Sequence, residues 1–237
     1  MQVQEKNIRG FNLLELLVVI VIISVISAAA YPNFSSWKKE REVRSAAVKI
    51  KNLISNINSQ VQRGHYAFVQ VEVIATSEEV DGKDELIVTS KGLHMDSFVN
   101  NMREVDEWKT DFSVRCAGGA TSTIGWDDDG SSSDKLEVAQ IKFEDIVVNF
   151  EDDYGTVCFS KDGTYYSGDS EFEVDSGFWI CSRSLTIKKC KAQEESGNPS
   201  AIHDNIFEVS WSRFGNVILE KWSKSKTDKL GSTWVLQ

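Results

Sequence analysis

Proline is almost absent, at two in 237 residues, and histidine and methionine number three each. With 15 glycines, so little proline excludes a collagenous or low-complexity chain, and seven tryptophans argue against disorder. The three histidines (His65, His94, His203) are scattered and no CxxC pair exists, so a zinc centre is not expected. Motifs of catalysis are missing as well: no GxSxG, no P-loop, no GxGxxG leading into a helix, no HExxH. His203-Asp204 has no nucleophile beside it and reads as a loop pair, so enzymatic activity is not expected. Basic residues are in deficit, 26 against 36 acidic, for a net charge of −10, which argues against a whole-surface nucleic-acid binder.

What is present is unevenly placed. Residues 1–65 hold nine Lys/Arg against four Asp/Glu, whereas residues 66–237 hold 17 against 32. The basic part also holds the apolar run, residues 11–31, with eight consecutive aliphatics at 16–23 and one charge, Glu15. As a helix this run spans about 31 Å, the hydrocarbon thickness of a bilayer. Four polar side chains (Asn12, Glu15, Ser24, Ser27) interrupt it. Two other readings compete. A buried core helix seldom carries so many β-branched residues. A secretory signal peptide would explain Lys6, Arg9 and the small residues 27–30. Its apolar part is usually shorter, however, and a carboxylate inside a membrane segment costs about 2.5–3.5 kcal/mol. Glu15 is retained against that cost.

Gly10-Phe11-Asn12-Leu13-Leu14-Glu15, preceded by a short leader with Lys6 and Arg9 and followed by the aliphatic run, resembles a type IV prepilin signal. The family includes type IV pilins and type II secretion pseudopilins. The resemblance covers roughly residues 1–45. It implies that a membrane prepilin peptidase cuts between Gly10 and Phe11 and methylates the Phe11 amine. It further implies that Glu15 directs assembly by neutralising the N-terminal amine of a neighbouring subunit, and that Pro32 is the helix-kinking proline. Asn12 departs mildly from the usual Thr or Ser. Glycine suits the cut, since an extended site without a side chain enters a protease cleft closely. Charge alone points the other way on topology: Lys38, Lys39, Arg41 and Arg44 follow the run, and the positive-inside rule slightly favours the reverse orientation. The resemblance requires a cytoplasmic leader, a single pass through the inner membrane and a periplasmic C-terminal domain.

Beyond the run, Val43, Ala46, Ala47, Ile50, Leu53, Ile54, Ile57 and Val61 form one apolar stripe at helical spacing. Lys49, Lys51, Asn52, Asn56 and Gln60 lie opposite, and Gly64 is a stop signal. From residue 66 the period becomes two. Strands are expected over 66–74, 85–89, 111–115, 138–143, 146–150, 156–160, 178–181, 185–188, 206–211 and 216–220. Asp81-Gly82, Asp162-Gly163 and Gly215-Asn216 read as turns between them, and residues 151–155 as a hairpin turn. The expected fold is α+β: a long helix packed on an antiparallel sheet. Its parts are a leader (1–10), a membrane and assembly helix (11–32), an amphipathic helix (33–65) and an exported β-rich domain (66–237). Two strand–turn phrases, residues 159–163 and 211–215, weakly resemble the minor pilin and H-type pseudopilin group.

All four cysteines (Cys116, Cys158, Cys181, Cys190) lie in the exported part, which favours disulfides. Of the three connectivities, Cys181–Cys190, closing a short hairpin, with Cys116–Cys158 is preferred; buried free thiols are the alternative. Asp127, Asp129 and Asp134 on an acidic Gly-containing loop are the calcium candidates, and some pseudopilins do bind calcium. The spacing lacks the EF-hand glutamate, so a solvated loop and no cofactor are expected. Lys221, Lys224, Lys226 and Lys229, interleaved with Trp222 and Trp234, have the composition of a small DNA-binding tail. Asp228 and the acidic domain oppose that use, and a polar C-terminal segment is expected instead. The function expected is that of a structural subunit, a minor pilin or pseudopilin, whose partners are other such subunits, the prepilin peptidase and the inner membrane. The alternative is a pilus-tip binding module, an adhesin or DNA-uptake receptor, on the same anchor.

Overall fold

The computed structural model describes residues 12–76, 85–104, 106, 109, 116, 136–149, 154–161, 165–167, 177–183, 190, 205–212, 216–223 and 233–237. The chain divides into two compact units, one ending at Glu40 and one beginning at Arg41. Helix α1 (Leu13–Gln62) begins in the first and ends in the second. Asn12 caps it: its side-chain oxygen accepts from Leu14 N–H at 3.4 Å and its carbonyl from Leu16 N–H at 3.1 Å. The helical backbone continues through Pro32, so this proline removes one hydrogen bond without ending the helix. The end is a Schellman motif. Gly64 sits at φ 80°, His65 N–H reaches Gln60 O at 3.0 Å and Gly64 N–H reaches Val61 O at 2.9 Å.

In the second unit the apolar stripe of α1 is the centre of the core. Val43, Ala46, Ala47, Ile50, Ile54, Ile57 and Val61 are buried and Leu53 is partly so. Each large member contributes about 1.5–3 kcal/mol by leaving water. Two antiparallel sheets share this core. The first has the order β3 (Leu136–Glu144), β2 (Glu85–Leu93), β1 (Phe68–Thr76), β5 (Tyr154–Ser160) and β6 (Tyr165–Ser167). The second runs β10 (Thr233–Leu236), β9 (Val217–Ser223), β8 (Ile206–Trp211), β7 (Gly177–Ser182) and β4 (Ile146–Val148). Val69, Val71 and Val73 of β1 and Phe207, Val209 and Trp211 of β8 face the shared core, the alternation that a period of two dictates. Phe159 of β5 and Trp211 of β8 meet edge to face between the sheets, with ring centroids 6.5 Å apart.

Several expectations change. One sheet becomes two, because the chain switches sheets at Asp145, a non-glycine residue at φ 58° between β3 and β4. Of the hairpin turn expected over 151–155, residues 151–153 lie outside the described residues, while Tyr154 and Gly155 lie in β5, and the strands on either side, β4 and β5, belong to different sheets and do not pair. The strand expected over 146–150 stops at Val148, and the buried Asn149 that follows accepts a hydrogen bond from Trp179 N–H at 2.6 Å. Helix α2 (Met95–Glu104) and strands β6 and β10 are additional. The strands expected over 111–115 and 185–188 lie outside the described residues, as do Asp81-Gly82, Asp162-Gly163 and Gly215. The strands flanking those three turns do pair consecutively, as β1–β2, β5–β6 and β8–β9.

Candidate functional site

In the first unit, side chains from Leu13 to Ile26 stand in solvent, and even the least exposed large one, Val19, is 44 % accessible. A helix belonging to the core of its own chain would bury such residues, so the buried-helix reading fails for this segment. Glu15 is exposed in the first helical turn, where a carboxylate is favoured by the helix dipole. Ser24 donates from Oγ to Ile20 O at 2.7 Å, which satisfies its hydroxyl within the helix and lowers its cost in apolar surroundings. Among the described residues no helix is long and apolar enough to cross a membrane. The described apolar stretch, residues 13–28, spans about 24 Å, and the side chains of residues 29–33, which complete the run in sequence, are outside the described set. Gly10 and Phe11 also lie outside the described residues.

The four cysteines form two disulfides, Cys116–Cys158 and Cys181–Cys190, with Cα atoms 5.7 and 6.0 Å apart. Among the described residues the second closes no β-hairpin. The strand neighbours of β7, which carries Cys181, are β4 and β8. Cys190 instead donates its N–H to Val148 O at 2.8 Å, beside β4. This pair joins Val147, Trp179, Ile206 and Trp222, with the partly buried Trp234 packed against them, in a small cluster on the face of the second sheet turned away from α1. On the first sheet, Cys158 lies opposite Gln70 in register, and Gln70 donates from Nε2 to Cys116 O at 3.2 Å.

Both described ends of the tail expected to be polar are strand, residues 221–223 in β9 and 233–234 in β10; residues 224–232 lie outside the described residues. Trp222 and Trp234 face each other across β9 and β10, with rings 5.1 Å apart, and Trp222 is buried. Lys221 pairs with Phe207 in register and its ammonium lies 6.0 Å from that ring. Consecutive residues of a strand face opposite ways, so Lys221 and Trp222 do not present one surface to a nucleic acid. Lys224, Lys226 and Lys229 lie outside the described residues, as do the calcium candidates Asp127, Asp129 and Asp134. Among the described residues no group of three metal-ligating side chains occurs.

Two features were not anticipated. Glu208 lies directly opposite Glu220 across β8 and β9, and next to Trp179 of β7 on the other side. Burial, and then the Glu220 carboxylate, push Glu208 up to about 7. Strand register was the missing information here. The other feature is Phe34 in tilted ring contact with Trp37 beyond the apolar run, two aromatics one helical turn apart in the sequence.

Residues 6–31 match the prokaryotic N-terminal methylation motif. No curated protein and no solved structure matches the chain. The matched segment holds Lys6, Arg9, Gly10-Phe11 and Glu15 and reaches the end of the apolar run, and the chain beyond it carries antiparallel sheets. A methylation motif at residues 6–31 is consistent with the type IV pilin and pseudopilin family.

Proposed function

We propose that the chain is a structural subunit, a minor pilin or pseudopilin, made as a single-pass inner-membrane precursor and assembled into a filament through α1. The observation that carries this reading is the methylation motif at residues 6–31, whose apolar helix is exposed on all sides and carries one charge, Glu15. An exposed apolar helix needs an apolar environment, first lipid and then other subunits. A carboxylate in those surroundings needs a partner, and cleavage after Gly10 supplies one by freeing the Phe11 amine of a neighbour. The periplasm is the fitting compartment for the acidic second unit, since two disulfides persist only under oxidising conditions. The reading needs no catalytic residue and no cofactor. The buried pairing of Trp222 with Trp234 gives the binding-module alternative no support.

Glu15→Ala tests the proposal. The variant precursor should still be processed and remain in the membrane fraction, while its incorporation into sheared filaments falls about tenfold or more, the loss expected for an unpaired amine left in an apolar interface. Undiminished incorporation would remove Glu15 from assembly. Mass spectrometry of the mature protein should find N-methylated Phe11 as the first residue; a start at Met1 or near Tyr31 would overturn the prepilin reading.

A further inference from the structure

Phe34 and Trp37 stand one turn apart on α1 with ring centroids 5.8 Å apart, and both are more than half exposed. They take no part in the core, whose first member on the helix is Val43. Lys38 and Lys39 follow at once, also exposed. All four belong to the first unit. Counted along the helix from Leu13, Phe34 lies about 31 Å away, one hydrocarbon thickness. With the start of the apolar run at one face of a bilayer, the aromatic pair therefore reaches the other face at headgroup depth. Aromatic rings concentrate at that depth, and lysines just beyond it run their alkyl stems along the apolar layer while the ammonium meets phosphate.

We propose that Phe34, Trp37, Lys38 and Lys39 form an interfacial anchor for the headgroup layer of an anionic phospholipid bilayer, setting the depth at which α1 rests before assembly. The proposal rests on the membrane reading of residues 11–31. In the orientation given above, these cations lie on the side where the positive-inside rule disfavours them. Topology does not account for the lysines; attraction to anionic headgroups does. A second copy of the chain is the competing occupant, because residues 66–237 are strongly acidic.

The full chain, reconstituted in vesicles with and without an anionic lipid, decides between them. Lipids brominated near the glycerol end of the acyl chain, or near its terminal methyl, report the depth of Trp37 as the difference between wild type and Trp37→Phe. The expected result is about twofold stronger quenching of the Trp37 component by the glycerol-end bromines, as for a ring at the interface. Anionic lipid should sharpen that preference in the wild type but leave Lys38→Gln/Lys39→Gln unchanged. Trp37 unquenched by either lipid, in protein that floats with the vesicles, overturns the anchor and leaves the membrane reading intact. Failure to float with the vesicles overturns the membrane reading itself. Depth insensitive to anionic lipid in the wild type, with Trp37 emission shifting only on filament assembly, overturns the lipid partner in favour of a second copy.

Discussion

Asn12 stands where the resemblance to prepilins implies Thr or Ser, and its geometry accounts for the departure. Asn, Ser and Thr all cap a helix by accepting from an early N–H, and here Leu14 donates that bond. At the other end, Gly64 adopts a left-handed φ of 80° that closes the Schellman motif. Gly64→Ala should cost about 1 kcal/mol, a fall of about 2–4 °C in Tm, with Gly64→Asn costing less. Thermal unfolding followed by circular dichroism reads it; equal Tm values for all three would deny the cap a role. Glu208 carries a sign that can be worked out. Its folded pKa of about 7 lies above the ordinary carboxylate value, so the folded state holds a proton that the unfolded chain has lost. Stability is therefore full below about pH 4.5 and declines as pH rises toward 7, by about 1–2 kcal/mol once solvent screening is allowed for. Glu208→Gln should flatten the fall in Tm between those pH values, and an unchanged slope would assign the pH dependence to other groups.

Among the elements, legibility followed the reach of the signal. The stripe of α1 was readable because eight apolar residues repeat at a local period, and the same residues form the buried face. The two-residue period of β1 and β8 was readable for the same reason, and β7 as a short continuous apolar run. Helix α2 was passed over although Met95, Phe98, Val99 and Met102 have helical spacing, with Asp96 in its first turn and Arg103 in its last. Its shortness and the strand signals around it masked the pattern. Sheet membership was not legible. Nothing local in residues 144–155 says that β3 and β5 belong to one sheet and β4 to the other; contacts distant in sequence decide it. Trp222 was assigned to a polar C-terminal segment for a related reason: lysines surround it in sequence, but pairing with β10 turns it onto the disulfide cluster. Of the candidate site, the methylation motif at residues 6–31 was legible because it is a linear pattern that needs no tertiary contact. Phe34 and Trp37 acquire meaning only with a helix long enough to place them a bilayer's thickness from Leu13.

Taken as a whole, the second unit has one core serving two sheets, and this governs how it should unfold. Residues of α1, of β1, β2 and β5 in the first sheet, and of β4, β7, β8 and β9 in the second fall in a single buried cluster. Phe159 is the test position because it belongs to β5 yet its ring meets Trp211 of β8 across the core. Phe159→Ala should lose about 3–5 kcal/mol, the cost of an emptied aromatic site. The informative point is where that loss appears. Four of the seven tryptophans, Trp179, Trp211, Trp222 and Trp234, lie in the second sheet, so fluorescence is weighted toward it, whereas far-ultraviolet circular dichroism reports both sheets and the helix. If the sheets stand or fall together, the mutation moves the denaturant midpoints of both probes by the same amount. A fluorescence midpoint that stays in place while the dichroism midpoint shifts would show that the second sheet folds independently. Should Phe159→Ala prove too unstable to purify, Phe159→Leu keeps most of the volume and applies the same two-probe comparison at a smaller loss.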